Sequence, residues 1–297
     1  MSGPREGSLL PAAALMFNAF VWGVSWWPFR QLQSAGVHPL WATTIIYLFA
    51  LACLLCVRPA AWRGLWREPA LWLLALASGV TNVGFNWAVT IGDVVRVVLL
   101  FYLMPAWSVL LAWALLGEKP TAAAMLRLVL AFVGVGVVLL PASAMSFAAG
   151  AGLSVADALA LLGGFSFALT NVMLRKLRAA PSASRMLAMF GGGALLAGLS
   201  ASLGVAAGTM AGLPPAAPGW AVLAGVLALA FLVGNYALQY GAARLAAGTT
   251  SIVMLTEVVF ASASSVALGA AAMEPRTWIG GTLIVLAALL AAFQTRN

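Results

Sequence analysis

Glu257 is the side chain whose position most demands a chemical explanation. It lies about ten residues into an apolar stretch running from 246 to 271, so at about 1.5 Å per helical residue it stands about 15 Å deep, near the middle of a hydrocarbon core about 30 Å thick. Asp93, Glu118, Asp157 and Glu274 fall at the ends of apolar stretches instead. A carboxyl at such depth either meets a substrate amino group or a proton, or ties its helix to a neighbour as a hydrogen-bonded acid. Metal chemistry has little to work with. Cys53 and Cys56 are the only cysteines and His38 the only histidine, fewer ligands than a zinc or haem site needs, so no metal and no cofactor is expected. There is no G-x-x-x-x-G-K-[ST] loop for ATP, no H-E-x-x-H, no G-x-S-x-G and no deep pair of carboxylates for acid and base work, which argues against an enzyme.

Other polar and aromatic residues fall at helical spacing inside apolar stretches. Trp22, Ser25 and Trp26 stand at i, i+3, i+4, and so do Phe167, Thr170 and Asn171, so each trio faces one way. Asn82 with Asn86, and Asn235 with Gln239, form i, i+4 polar stripes, and Tyr236 and Tyr240 add an aromatic stripe beside the second. Such amides either bond helices together or line a wet path. Tyr102, Met104 and Pro105 come where proline frees a backbone carbonyl for a hinge or a polar contact. Gly163-Gly164 and Gly191-Gly192-Gly193 suit close helix approach better than phosphate binding, since no strand precedes them.

The elements that must position these residues follow from composition. Of 297 residues, 64% are hydrophobic and 7% charged, with a mean hydropathy of +1.05. A soluble domain carries about 25% charged residues, so this is an integral membrane protein. Cutting at proline, glycine and charged clusters leaves ten stretches of spanning length: about 11 to 32, 39 to 57, 70 to 90, 94 to 116, 122 to 140, 153 to 175, 183 to 207, 217 to 240, 246 to 271 and 276 to 294. The first reads as a retained helix rather than a cleaved signal, because no A-x-A-like site ends it. With the N-terminus in the cytoplasm, Arg5, Arg58, Arg63, Arg67, Lys119, Arg127, Arg175, Lys176, Arg178, Arg185, Arg244 and Arg296 lie on that side, against Arg30, Arg96 and Arg276 on the other. Basic residues gather on the cytoplasmic face, so both termini are expected there. The net charge of +8 thus describes topology and not an anionic partner such as nucleic acid.

The chain also resembles itself. Residues 92 to 131 lie over 248 to 287 at a constant offset of 156, pairing Gly92 with Gly248, Val97 with Val253, Ser108 with Ser264, Glu118 with Glu274 and Thr121 with Thr277. At offset 145, Phe20, Arg30 and Leu32 match Phe165, Arg175 and Leu177, which also makes the two trios mates. The reading is an all-α membrane protein of ten transmembrane helices, built as two inverted five-helix repeats over 1–141 and 150–297, with no soluble domain; an odd number of spans per half inverts the second.

Ten spans in two halves, Phe20-Val21-Trp22-Gly23 in the first, and the pairs Gly117-Glu118 and Met273-Glu274 closing the fourth and ninth make the chain similar to the EamA-like members of the drug/metabolite transporter superfamily over nearly its whole length. Asn18 to Gly23 and the run Thr90 to Pro105 most resemble the YddG-type exporters of aromatic amino acids. The resemblance implies a secondary transporter of the bacterial inner membrane that exports small amphipathic metabolites, foremost aromatic amino acids, by alternating access. Its cavity between the repeats would be lined by Trp22, Ser25, Trp26, Asn82, Asn86, Tyr102, Phe167, Thr170, Asn171, Asn235, Tyr236, Gln239 and Glu257. The partners are the small-molecule substrate and the lipid bilayer; the oligomeric state is left open. A multidrug or other metabolite carrier of the same superfamily is the nearest alternative, and a non-transporting sensor or a channel a more distant one. Phosphorylated cargo needs cationic groups, and Arg96 is the only candidate near a cavity mouth, which favours neutral or zwitterionic cargo.

Overall fold

The computed structural model describes residues 9–117, 122–139, 153–177, 179–242, 253–254, 256–270, 275, 278–283 and 285–286. Among them the regular structure is helical: α1 (Leu9–Val24), α2 (Trp26–Ser34), α3 (Pro39–Val57), α4 (Arg63–Arg67), α5 (Ala70–Ile91), α6 (Val94–Phe101), α7 (Met104–Leu116), α8 (Ala122–Leu139), α9 (Val155–Lys176), α10 (Ser182–Ala206), α11 (Pro218–Ala242) and α12 (Thr256–Ala267). Seven described segments are long and apolar enough to cross a membrane: Leu10–Ser34, Pro39–Val57, Ala70–Ile91, Val94–Leu116, Val155–Lys176, Ser182–Ala206 and Pro218–Leu238. Their ends lie within two residues or so of those expected. The tenth expected stretch is described only in part, and residues 246–252 of the ninth lie outside the described set; the described helix there opens at Thr256, with Glu257 in its first turn.

Sequence explains where helices start and break. His38 caps α3 by accepting from the Leu40 N–H through Nδ1 at 3.2 Å; burial lowers the imidazole pKa, favouring the neutral form that such an acceptor requires. Ser154 and Asp157 form a capping box at the start of α9. The first span breaks at Ser25, whose hydroxyl donates to the Trp22 carbonyl at 2.8 Å, just before Pro28, which has no N–H to offer one turn back. The fourth breaks at Tyr102-Leu103, with Pro105 in the first turn of α7. Between α3 and α5, Pro59–Trp62 and α4 form a short connector on which Arg63, Arg67 and the exposed Trp62 and Trp66 gather, a mixture suited to a membrane interface.

Packing exchanges the halves in pairs. α5 lies along α9 and α10, as α11 lies along α1 and α3; α6 and α7 pack on α9, as α12 packs on α1; α3 meets α10, and α6 meets α12. Each contact has its mate under the sequence repeat, the pattern a two-fold relation between halves produces. Glycines set the closest crossings. A Cβ on Gly164 would come 2.5 Å from the Phe101 carbonyl oxygen, one on Gly79 2.5 Å from the Gly192 carbonyl oxygen, and one on Gly23 2.8 Å from the backbone carbonyl oxygen of Glu257. These are the close approaches foreseen for Gly163-Gly164 and the 191–193 run, though Gly191 itself faces open space.

Candidate substrate site

Pro105 lacks the N–H that would have bonded the Phe101 carbonyl one turn back, and this carbonyl rests instead against Gly164 of α9. The interruption leaves Tyr102 as the capping residue of α6. Its hydroxyl reaches across to the other half, 3.1 Å from the Met254 carbonyl and 3.0 Å from Oε2 of Glu257. A phenol has one proton. If it goes to the Met254 carbonyl, the second contact needs a protonated Glu257 that donates to the phenol oxygen; if it goes to the carboxylate, the carbonyl loses its donor. Both residues are buried, so the arrangement answers to any change of charge on the carboxyl.

A chain of rings runs beside this pair through both halves. Trp22 stacks on Phe231 at 4.5 Å between centroids and meets Phe85 edge-on at 6.1 Å. Phe85 contacts Phe101 at 4.8 Å, and Phe101 contacts Phe167 at 5.4 Å. From Phe231 the chain continues to Tyr47 and Phe190. The mates Trp22 and Phe167 therefore both belong to it, joined through Phe85 and Phe101. At the Tyr47 end, the hydroxyl donates to Oδ1 of Asn82, whose amide donates to the Ser78 carbonyl at 2.7 Å. Asn86 donates to Thr43 at 3.1 Å while its Oδ1 is buried with no partner among the described residues. Asn18 is likewise buried; its amide approaches the Met254 sulfur at 3.7 Å and its Oδ1 has no partner among the described residues.

The remaining expected residues divide. Trp26 is buried, donates from Nε1 to Ser264 at 2.9 Å and carries the Arg30 guanidinium over its ring at 5.2 Å, so it braces helices. Ser25 and Thr170 spend their hydroxyls on carbonyls one turn back, at 2.8 and 2.9 Å. Asn171 is exposed, its amide donating to the Met104 sulfur at 3.6 Å. Asn235 is half-buried on the Phe231 side of α11, four residues on. Tyr236 is 69% exposed: one residue further, it stands about 140° round the helix from Phe231 and faces outward. The side chain of Gln239 lies outside the described residues. Sequence reading passed over Asn18, Tyr47, Phe85, Phe101 and Phe231. Two signals pointed to them: Phe231 precedes Asn235 by one turn, and Phe101 is the offset-156 mate of Glu257.

Arg96, the cation that phosphate would have used, is engaged. Its Nε and Nη2 meet the two oxygens of Asp157 at 2.7 and 3.0 Å, a forked pairing.

Fold and site together define a polytopic helical membrane protein of two like halves, with an aromatic and carboxyl-bearing centre between them. The chain belongs to the EamA-like transporter family, within the drug/metabolite transporter superfamily: the family's pattern matches residues 9–140 and again 154–293. It is thus a multi-pass membrane transporter. No curated protein matches the chain. A protein of known crystal structure superposes with a TM-score of 0.57 at 20% identity, covering 96% of this chain and 97% of its own, a likeness of fold.

Proposed function

We propose that the chain is a ten-span carrier of two inverted repeats, about 1–141 and 150–297, with both termini cytoplasmic. It exports aromatic amino acids across a bacterial inner membrane by alternating access. The observation that carries this reading is the run of rings Phe231, Trp22, Phe85, Phe101 and Phe167 lying beside the Tyr102–Glu257 pair where the halves meet. A ring-bearing zwitterion matches both features: its side chain replaces ring-on-ring contacts, and its ammonium replaces the proton or the phenol at Glu257. Asn82, Asn86 and Asn235 would offer polar contacts to the rest of the head group, with Trp22 and Phe167 as the aromatic walls and Ser25, Trp26, Thr170 and Asn171 shaping the helices that carry them. The pairing of Arg96 with Asp157 favours neutral or zwitterionic cargo over phosphorylated cargo. Flux is driven by a proton or substrate gradient.

Counterflow in proteoliposomes tests this, with tryptophan, phenylalanine, threonine, methionine and a cationic drug as cargo. Saturable exchange strongest for tryptophan and phenylalanine, reduced at least tenfold by Glu257→Gln, is expected. Preference for the cationic drug over every amino acid would move the protein to multidrug export, and non-saturating flux would mark a channel.

A further inference from the structure

Two bonds between the halves, Arg96–Asp157 and Trp26–Ser264, lie at the face where Arg30 ties the first half together. Arg30 in α2 donates to the Val89 carbonyl at 3.1 Å and the Gly92 carbonyl at 2.5 Å, which brings the end of the first span to the end of α5 and the start of α6. At that face Arg96, in the first turn of α6, grips Asp157, in the first turn of α9. Trp26, four residues before Arg30, donates to Ser264 near the end of α12. One tie therefore joins the fourth span to the first span of the second half, and the other joins the first span to the ninth.

The repeat makes the charged tie one-sided. Arg96 maps at offset 156 to Ile252, and Asp157 maps at offset 145 to Ala12, so the mate positions cannot form an ion pair. On the opposite face the described residues offer instead a neutral hydrogen bond between the halves, from Ser184 to the Ala61 carbonyl at 2.9 Å. Capping does not require Arg96: Asp157 already completes its box with Ser154. The pair is also sheltered, with Asp157 3% and Arg96 26% exposed, where screening by salt is weaker than at an open surface.

We propose that Arg96 and Asp157 form a latch that holds this face shut, and that the carrier opens there only by parting them. By the orientation proposed above, it is the face away from the cytoplasm. The latch rests on the alternating-access reading. It gives the cycle a built-in asymmetry: the state closed on the latched face and receptive from the cytoplasm is favoured at rest, as export requires, because a two-state equilibrium moves by the differential free energy of contacts made in one state alone.

Two experiments in reconstituted full-length protein test it, both on a Cys53→Ala, Cys56→Ala background. In the first, Arg96→Cys and Asp157→Cys are bridged by a short bis-methanethiosulfonate reagent and released with dithiothreitol. Exchange should stop on bridging and return on release, with tryptophan binding from the other face retained. In the second, Arg96→Gln and Asp157→Asn, alone and combined, are assayed for half-saturation by substrate presented at the latched face. Each single change should lower it about fivefold, with no further fall in the double variant. Undiminished exchange in the bridged protein, or unchanged or additive half-saturation values, overturns the latch while leaving the carrier reading intact. Absence of saturable exchange of any amino acid by the unsubstituted protein overturns the carrier reading and the latch with it.

Discussion

Tyr102 shows how much one hydroxyl decides at the centre of this molecule. It comes from the broken fourth span and brings its single proton within reach of two oxygens of the other half, those of the Met254 carbonyl and the Glu257 carboxyl. Tyr102→Phe keeps the ring and its 6.3 Å contact with Phe101, but leaves the buried Glu257 carboxyl and the part-buried Met254 carbonyl without that partner. An orphaned buried polar group costs about 1 to 3 kcal/mol, so unfolding in detergent should shift by that order. If Tyr102 also presents Glu257 to substrate, tryptophan half-saturation should rise several-fold. A variant as stable as the parent, with unaltered half-saturation, would remove Tyr102 from the site. Glu257 could be singled out from sequence because depth alone makes a carboxyl conspicuous; Tyr102 could not be assigned as its partner, since 155 residues separate them.

Helix pairs depend on where a glycine meets a backbone. Gly192 of α10 lies so close to Ala75 of α5 that a Cβ would collide with that residue's carbonyl group, whereas a Cβ on Gly191 would meet nothing within 4 Å. Gly192→Ala must push α5 and α10 apart, and overpacking of this kind costs about 1 to 3 kcal/mol. Gly191→Ala should be neutral or slightly stabilising, because alanine is the better helix former. Thermal unfolding of the two variants in the same detergent checks this, and equal shifts would contradict the packing described. The adjacent glycines were indistinguishable as letters. Helix ends, by contrast, were legible: the proline, glycine and charged clusters that bound the apolar stretches, and Pro105 within the fourth span, act locally, and the caps of His38 and Ser154 that the structure adds are local too.

At the scale of the whole molecule the informative quantity is the uneven distribution of charge. Twelve of the fifteen basic residues fall on one side of the proposed topology, and the connector carrying Arg63, Arg67, Trp62 and Trp66 has the composition of an interface. Reporter fusions at each terminus should therefore both be active only as cytoplasmic reporters. Activity of one terminal fusion alone on the opposite side would break the even span count and the inversion of the repeats with it, and activity of both there would reverse the orientation.

By itself the sequence determined that the chain lives in a membrane, where most of its spans begin and end, and that its two halves are alike. These properties are local or additive: hydropathy over about twenty residues, a proline's missing N–H, a constant offset between similar stretches. Only the tertiary structure decided which deep polar groups meet. It turned Trp26 into a brace and Tyr236 outward, it joined Trp22 to Phe167 through Phe85 and Phe101, and it gave Arg96 to Asp157. The physical reason is that helical periodicity tells which residues share a face, while the neighbour that face meets depends on crossings between helices far apart in the chain.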